Sequence, residues 1–291
     1  MENVGVSANY MLKQRIKSTI YFIICVLIAL ICLVPIYLLL MNATRSDAEL
    51  ARAPLSLIPS GSLIHNIKAI PTQYSGWSVF HGYANSLIVA GGSTILTVFF
   101  SAMTAYGLTV YDFKVRDGAY TFILAVMMIP IQVTSTGFVQ FMVGTLKLAD
   151  SFIPLVVPAI AAPAIVFYMR QYMKSSFPLD IVEAARIDGC GEFRTFISIA
   201  IPMMKPAIAV QAIFTFVSSW NNYFVPALIL HNDKKKTLPI LIAQLRAADW
   251  LKFDMGQVYV MIAFSIFPVI IIYLILSRHI VQGVALGSVI G

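Results

Sequence analysis

The sequence predicts an all-α integral membrane protein, and two observations support this fold class. The 291 residues are 59% hydrophobic and 11% charged, with a mean hydropathy of +0.84, whereas soluble domains average about 45–50% apolar and about 25% charged residues. The apolar residues form six long runs, without the period-two alternation of a membrane-spanning strand. This composition excludes an ordinary cytosolic enzyme, a nucleic-acid-binding protein and a disordered chain.

The first apolar run, Ile20–Met41, follows three basic residues, Lys13, Arg15 and Lys17. A helix needs about 20 apolar residues to cross a bilayer, and the apolar core of a secretory signal is shorter, at about 7–15 residues. The run therefore predicts a retained membrane helix. Pro35 predicts a kink within it.

Five further spans follow along the chain. The fourth is short and rich in proline, which predicts an irregular start. The predicted spans are Ser86–Val110, Ala119–Val143, Ile153–Met169, Pro206–Leu230 and Gln257–Leu276.

Six spans place both termini on one side of the membrane, and basic residues favour the cytoplasmic side. The prediction is a cytoplasmic N-terminus over residues 1–19, one membrane domain over residues 20–276 and a cytoplasmic tail over residues 277–291. If Lys13 lies on the cytoplasmic side, the order of the spans also places the basic segment 170–205 on the cytoplasmic side.

Asp, Glu, Lys, Arg and His are absent from all six predicted spans. Secondary carriers and ion pumps usually need ionisable groups within the membrane, because those groups carry the coupling charge. A channel or secondary carrier therefore remains a weaker alternative. The four histidines are scattered and the three cysteines lack partners, so no catalytic residue and no metal site is predicted. A phosphate loop of the form GxxxxGK[ST] is also absent, so another subunit must supply energy for uphill transport.

Polar residues within the predicted spans are few. An amide in hydrocarbon needs a hydrogen-bonding partner or a wet cavity. Two interpretations stay open: contacts between helices, or a hydrophilic path for a polar solute with aromatic faces for sugar rings. The candidate pathway residues are Gln132, Trp220, Asn221, Asn222 and Tyr223.

The segment 177–206 is too polar to span the membrane. Asp180 fits a helix N-cap and Glu183 completes a capping box, while Gly189 fits a C-terminal stop. These signals predict a short helix over residues 181–188, with Ile181, Ala184, Ala185 and Asp188 on one face. A second short helix is predicted to lead to Ile201-Pro202. The spacing alone fits either an amphipathic loop on the membrane or a helix that docks to a partner.

Glu183-Ala184-Ala185, followed by Gly189 and Ile199-Ala200-Ile201-Pro202, resembles the EAA loop of ABC importer permeases. Other motifs resemble the carbohydrate branch of that family, of which the maltose-type second permease subunit is a well-known member. These motifs are Asn85-Ser86, Thr104-Ala105-Tyr106, Trp220-Asn221, Pro226, Thr237-Leu238-Pro239 and the ending 282–288.

The resemblance implies a type I permease fold with cytoplasmic coupling helices, in a bacterial inner membrane. It implies four kinds of partner: a second permease, two ATP-binding subunits that hold ATP and Mg, an extracytoplasmic solute-binding protein and a carbohydrate. No cofactor is expected in this chain itself. The residues implied in coupling to the ATPase are Asp180, Glu183, Ala184, Ala185, Asp188, Gly189, Ile199 and Pro202. The tail residues implied in ATPase contact are Gln282, Gly283, Gly287 and Ser288.

The solute implied by the resemblance is an oligosaccharide. The predicted outer face carries nine basic and six acidic residues, which slightly favours an acidic, alginate-like sugar. An importer of another small solute is the alternative.

Overall fold

The computed structural model describes residues 2–73, 79–246 and 254–287. These residues form α-helices with short π-helical and 3-10 stretches, and no strand occurs among them, so the all-α prediction is confirmed. The chain divides into two compact units. Unit 1 comprises Met1–Gln73 and Ala248–Phe264, and unit 2 comprises Tyr74–Ala247 and Ser265–Gly291.

Unit 1 contains a long N-terminal helix followed by two short ones. Its helices are α1 (Glu2–Ala43), α2 (Asp47–Arg52), α3 (Leu63–Gln73) and the first part of α15 (Met255–Gly287).

Arg45 organises the turn between α1 and α2. Its guanidinium donates hydrogen bonds to the carbonyls of Ala53 (2.6 Å) and Glu49 (2.9 Å). Asn66 is buried and donates to the carbonyl of Arg45 at 2.9 Å. Residues 45–66 of the segment after the first span are therefore held together by polar contacts within that segment.

Unit 2 contains the remaining helices and the later part of α15. They are α4 (Val79–Val110), α5 (Arg116–Met127), α6 (Ile131–Val139), α7 (Ile153–Val156), α8 (Pro163–Ser176), α9 (Asp180–Ile187), α10 (Glu192–Thr195), α11 (Ile201–Met203), α12 (Lys205–Trp220), α13 (Phe224–Ile229) and α14 (Leu238–Arg246).

Small residues along α4 let other helices of unit 2 pack closely against it. A Cβ added to Gly92 would lie 3.0 Å from the Val156 side chain of α7. The Ser93 and Ser219 hydroxyls of α4 and α12 lie 2.9 Å apart. Such small, polar contacts suit membrane helices, which gain little by burying apolar surface from apolar lipid.

One end of unit 2, which we call the Asp150 end, consists of Asn85, Asp150 and residues 229–238. The Asn85 amide donates to the carbonyls of Lys234 (2.9 Å) and Lys236 (3.0 Å). The Asp150 carboxylate accepts hydrogen bonds from the backbone N–H groups of His231 and Asn232, both at 2.6 Å. The connection after α13 is therefore held to the start of α4.

The opposite end, which we call the α9 end, consists of residues 105–117 and 169–207. Here α4, α8, α9 and α12 share one buried apolar cluster. Its buried members include Tyr106, Met173, Val182, Phe196 and Met204. From Asn85 to Leu108, α4 rises about 35 Å, which exceeds the roughly 30 Å of a bilayer core.

Four helices are long and apolar enough to cross a membrane, or up to five if one bent pair counts as one span; this holds for the described residues. The four segments are Lys13–Ala43, Val79–Val110, Ile153–Ser176 and Met255–Ser277. The bent pair joins Glu192–Met203 to Lys205–Trp220 at an angle of 79°.

Two predicted spans are not continuous helices. The predicted span Ala119–Val143 is interrupted at residues 128–130, between α5 and α6. The predicted span Pro206–Leu230 is interrupted at residues 221–223, after Trp220. The first break contains Pro130, which lacks a backbone N–H and disfavours helix in the residue before it. The fourth span starts irregularly, as predicted, with a 3-10 stretch over Val157–Ile160.

Candidate coupling site

The helix α9 starts one residue earlier than the sequence predicts. Leu179 is the N-cap residue, with helical φ and ψ of −68° and −28°, and no side chain caps the helix. The predicted capping box of Asp180 and Glu183 is therefore wrong. An N-cap side chain reaches the helix from extended backbone, whereas Asp180 already lies inside α9. Both acids still lie in the first turn, where the helix dipole favours negative charge.

The predicted stop at Gly189 is confirmed. Gly189 has φ of +76°, a conformation that is unfavourable for residues with a Cβ. The Cys190 N–H donates to the Ala185 carbonyl at 2.9 Å, and the Gly189 N–H donates to the Arg186 carbonyl at 3.0 Å. These two bonds form a Schellman motif and end α9 sharply.

The faces of α9 differ from the predicted arrangement. Val182 and Ala185 face the core of unit 2, and Val182 is only 1% exposed. Glu183, Ala184 and Ile187 are exposed, Ile187 at 87%. The two alanines of the motif therefore lie on opposite sides, Ala185 against its own chain and Ala184 outward. The exposed Asp188 and Gly189 continue the outward surface.

A polar network ties α9 to the end of α4. The Arg186 Nε donates to Glu192 Oε1 at 2.8 Å, and the Tyr111 hydroxyl donates to Glu192 Oε2 at 2.6 Å. The hydrogen bonds from Arg186 and from Tyr111 hold the pKa of Glu192 below its usual range. Burial and the hydrogen bond to Glu192 raise the pKa of Tyr111 to about 12, so the phenol remains a donor at neutral pH.

The segment after α9 is irregular. It runs through α10, a π-helical stretch over Phe196–Ala200 and α11, then turns by 79° into α12. Ile199 lies in the π-helical stretch and is half-buried, whereas Pro202 lies in α11 and is exposed. π-helical turns often occur at functional sites. The second predicted short helix is thus three short helical pieces.

The candidate pathway residues divide into two groups. Trp220 is 2% exposed and its indole Nε1 donates to the Ser265 carbonyl at 3.1 Å. Its ring stacks on Phe216, with centroids 5.7 Å apart. The Trp220 ring is therefore packed inside the protein and presents no exposed face for stacking on a sugar, and its role in the path stays a prediction.

Asn221, Asn222 and Tyr223 are exposed at the break between α12 and α13. Within the described ranges, neither asparagine amide forms a hydrogen bond to another side chain or to the backbone, so contacts between helices of this chain do not explain them. Gln132 lies in α6, far along the chain from the break between α12 and α13.

The predicted tail is helical for most of its length. The helix α15 continues to Gly287 and includes Gln282 and Gly283. Ser288 lies outside the described residues.

Sequence reasoning missed Tyr111, Arg186 and Glu192 as a functional group. Arg186 and Glu192 are six residues apart, which is not a helical contact spacing, and Tyr111 lies 81 residues before Glu192. Only the position of Tyr111, directly after a predicted span, gave a local signal. A functional grouping of these three residues required the tertiary fold.

Three comparisons with known proteins place the chain in a family. Residues 97–286 match the family described as "Binding-protein-dependent transport system inner membrane component". The arabinooligosaccharides transport system permease protein AraQ of Bacillus subtilis (strain 168) is 36% identical over 281 residues, covering 95% of this chain and 96% of that protein. The lactose transport system permease protein LacG of Rhizobium radiobacter is 28% identical, covering 96% of this chain and 98% of that protein.

A solved structure shows the same fold. It is the crystal structure of a bacterial ABC transporter involved in the import of the acidic polysaccharide alginate, with a TM-score of 0.74 and 22% identity. The alignment covers 91% of this chain and 97% of that chain. The chain therefore belongs to the binding-protein-dependent transport system inner membrane component family, and it is a non-catalytic permease subunit of an ABC importer.

Proposed function

We propose that this chain is one of two permease subunits of an ATP-driven importer of oligosaccharides, and that α9 is its coupling helix. The relatives support a sugar as the transported solute, because one transports arabinooligosaccharides and another transports lactose. The single observation that carries the coupling role is the two-sided α9. Its inner face is buried in the helical core and its outer face is exposed.

The contacts within unit 2 support four membrane crossings. The chain reaches the α9 end at Tyr111, the Asp150 end at Asp150, the α9 end again at Lys174 and the Asp150 end again at His231. Each passage between ends uses a helix or a broken helix. Together with α1 and α15 this makes six crossings, even though two of them are not continuous.

The packing of α9 supports a mechanical role. Val182 belongs to the same apolar cluster as Tyr106 of α4, Met173 of α8 and Met204 before α12. Close-packed interiors transmit displacement because they have few voids. A partner that binds the outer face of α9 and changes conformation would therefore displace α4, α8 and α12 together. The Schellman motif at Gly189 and the hydrogen bonds to Glu192 would keep the ends of α9 from unfolding during that displacement.

The proposed partners follow from this role. A second permease completes the path, and two ATP-binding subunits at the α9 end bind ATP and Mg and supply the energy. A solute-binding protein delivers sugar at the Asp150 end, so that end faces outward and both termini face the cytoplasm of a bacterial inner membrane. In this proposal, the exposed side chains of Asn221, Asn222 and Tyr223 form part of the polar wall of the solute path. The end of α15 makes a further contact with an ATP-binding subunit.

Several basic residues of the proposed outer face are engaged in contacts within the chain, which leave the net charge of that face unchanged. Arg45 is buried and used within unit 1. Lys236 pairs with Asp233, and the Lys235 ammonium donates to the Asp150 carbonyl. Arabinooligosaccharides and lactose, which the relatives transport, are uncharged sugars, so we propose a neutral oligosaccharide. Uptake assays with a labelled arabinooligosaccharide and a labelled uronate oligosaccharide distinguish the two classes.

The substitution Gly189→Asp tests the coupling role. It places a side chain at φ +76° and adds a charge to the outer surface of α9, so we expect less ATPase co-purifying with the chain and lower solute-stimulated ATP hydrolysis. The matched control is Gly191→Asp, because Gly191 has an ordinary φ of −66° and open space around it. Membrane insertion should be unchanged in both variants.

Normal co-purification and normal transport of Gly189→Asp would exclude the coupling role of α9. A separate measurement tests the need for partners. The purified chain alone in liposomes should concentrate no sugar, and the complete complex should do so with ATP. Accumulation by the chain alone would favour a secondary transporter.

A further inference from the structure

A basic cavity lies at the α9 end of unit 2, beside the coupling helix. Its volume is about 280 Å³. The end of α4, the start of α5, the end of α8 and the connection to α9 all contribute to its wall. Three lining residues are basic (Arg116, Arg170 and Lys174) and one is acidic (Asp117), which leaves a net charge of +2 (three minus one).

Arg170 is the central residue of this cavity. It is only 6% exposed, and its guanidinium carbon lies 3.7 Å from the centroid of the Tyr120 ring. Its Nε atom is buried without a hydrogen-bond partner, and no acidic side chain pairs with it in the described part of the chain. Buried arginines are almost always paired. One face of this guanidinium is stacked on an aromatic ring, so its donors along the edge remain for a ligand.

The other two basic residues differ in how far they are neutralised. Arg116 lies 3.3 Å from an Asp112 oxygen and 3.6 Å from an Asp117 oxygen. Lys174 is exposed at the mouth and has no ion-pair partner among the described residues. The positive charges of Arg170 and Lys174 are therefore unbalanced, and the cavity suits an anion.

The position of the cavity indicates which anion. Two candidate spans, Val79–Val110 and Ile153–Ser176, both end at it, so it lies at the level of the lipid headgroups. Leu179 of the cavity wall is exposed, and so are Phe113 and Val115, which precede the lining residue Arg116 in the chain; exposed apolar side chains suit contact with acyl chains. Basic pockets between membrane helices on the cytoplasmic side are suited to phosphate headgroups, and arginine recognises phosphate through paired N–H donors.

We infer that this cavity binds a phosphate group, presented by the headgroup of an anionic phospholipid. Phe177 and Leu179 line the same cavity and lead directly into α9. A bound headgroup would therefore support the base of α9 and stabilise its position on the core. This inference goes beyond the proposed transport function and does not depend on which solute is carried.

The test uses the assembled transporter, stripped of lipid in detergent, and native mass spectrometry. Phosphatidylglycerol, phosphatidylcholine and inorganic phosphate are titrated separately. We expect retained phosphatidylglycerol, with apparent affinity lowered about tenfold by Arg170→Gln and by Lys174→Gln, as for a lost charge-assisted hydrogen bond. Lys114→Gln is the matched control, because Lys114 is exposed and lies outside the cavity wall. Phosphatidylcholine should bind weakly, because the basic wall repels its choline group.

The outcomes separate the sources of phosphate. Binding of inorganic phosphate that depends on Arg170, without any such dependence for phosphatidylglycerol, would overturn the lipid source. Equal binding of both ligands by wild type, Arg170→Gln and Lys174→Gln would overturn the site, and would favour a partner's acidic side chain as its occupant. If Arg170→Gln does not fold, the exposed Lys174 still decides the result, and Arg170→Lys should restore part of the affinity.

Discussion

Tyr111 and Glu192 show how single side chains position the coupling helix. Glu192 of α10 accepts hydrogen bonds from Arg186 of α9 and from Tyr111, the residue directly after α4, at once. Each hydrogen bond is partly exposed and contributes modestly by itself. Together they fix the orientation of α9 relative to the end of α4, because they share one carboxylate.

Tyr111→Phe and Glu192→Gln should be coupled in a double-mutant cycle. The first removes the donor and the second weakens the acceptor, so we expect a coupling free energy of about 0.5–1 kcal/mol from thermal unfolding of the purified chain. The depressed pKa of Glu192 means that this stabilisation is present above its ordinary pKa, 4.5, and is lost as pH falls through the folded-state value. Purely additive effects would contradict the network.

Asn221 and Asn85 allow a contrast between two asparagines. Asn85→Leu removes two part-buried hydrogen bonds to the carbonyls of Lys234 and Lys236 and should destabilise the chain by about 1–3 kcal/mol. Asn221→Leu removes an exposed amide and should leave the unfolding temperature unchanged while impairing sugar uptake. Unchanged uptake kinetics in Asn221→Leu would remove this residue from the path.

The helix α9 acts as an element with two different surfaces. Its inner residues Val182 and Ala185 are three positions apart and its outer residues Ala184 and Ile187 are also three positions apart, so each pair occupies one face. An eight-residue helix is unstable alone, and its stability here must come from packing on the core and from the stop at Gly189. The same packing gives it a defined orientation.

Val182→Ala and Ile187→Ser should therefore have opposite effects. Val182→Ala removes methyl groups from a fully buried site and should cost about 1–3 kcal/mol of stability. Ile187→Ser changes a side chain that is 87% exposed and should keep stability while weakening association with the ATPase, measured by co-purification. If neither variant loses its association with the ATPase, the assignment of the outer face is contradicted.

At the scale of the whole molecule, unit 2 places two kinds of chemistry at two ends. The Asp150 end is held by carbonyl and carboxylate contacts between distant segments, such as Asn85 with Lys234. The α9 end carries the coupling helix and the basic cavity. Opposite ends joined by a helix of about 48 Å are what an alternating-access subunit requires.

The two ends should face opposite sides of the membrane. In a chain whose native cysteines Cys25, Cys32 and Cys190 are replaced by serine, Asp188→Cys should react with a membrane-impermeant maleimide only in inverted vesicles. Lys234→Cys should react only in right-side-out vesicles, because it lies at the Asp150 end. Labelling of both from one side would contradict the proposed topology.

The sequence by itself determined the features that depend on local pattern. Apolar runs predicted membrane helices, because lipid forces backbone groups to bond within the segment. Gly189 predicted the end of α9, because only a residue without Cβ adopts φ +76° freely. The Asp180 cap was wrong because Leu179 was already helical, a difference of one residue that propensity cannot resolve.

Only the tertiary structure decided which surfaces are buried. Trp220 packs inside unit 2, and Ala184 and Ala185 lie on opposite sides of α9. Tyr111 donates a hydrogen bond to Glu192, which lies 81 residues later in the chain. Contacts at such separations leave no periodic trace, because they depend on how helices pack and not on how each one forms. The physical reason is that local hydrogen bonding selects the helices, whereas close packing between them selects their faces.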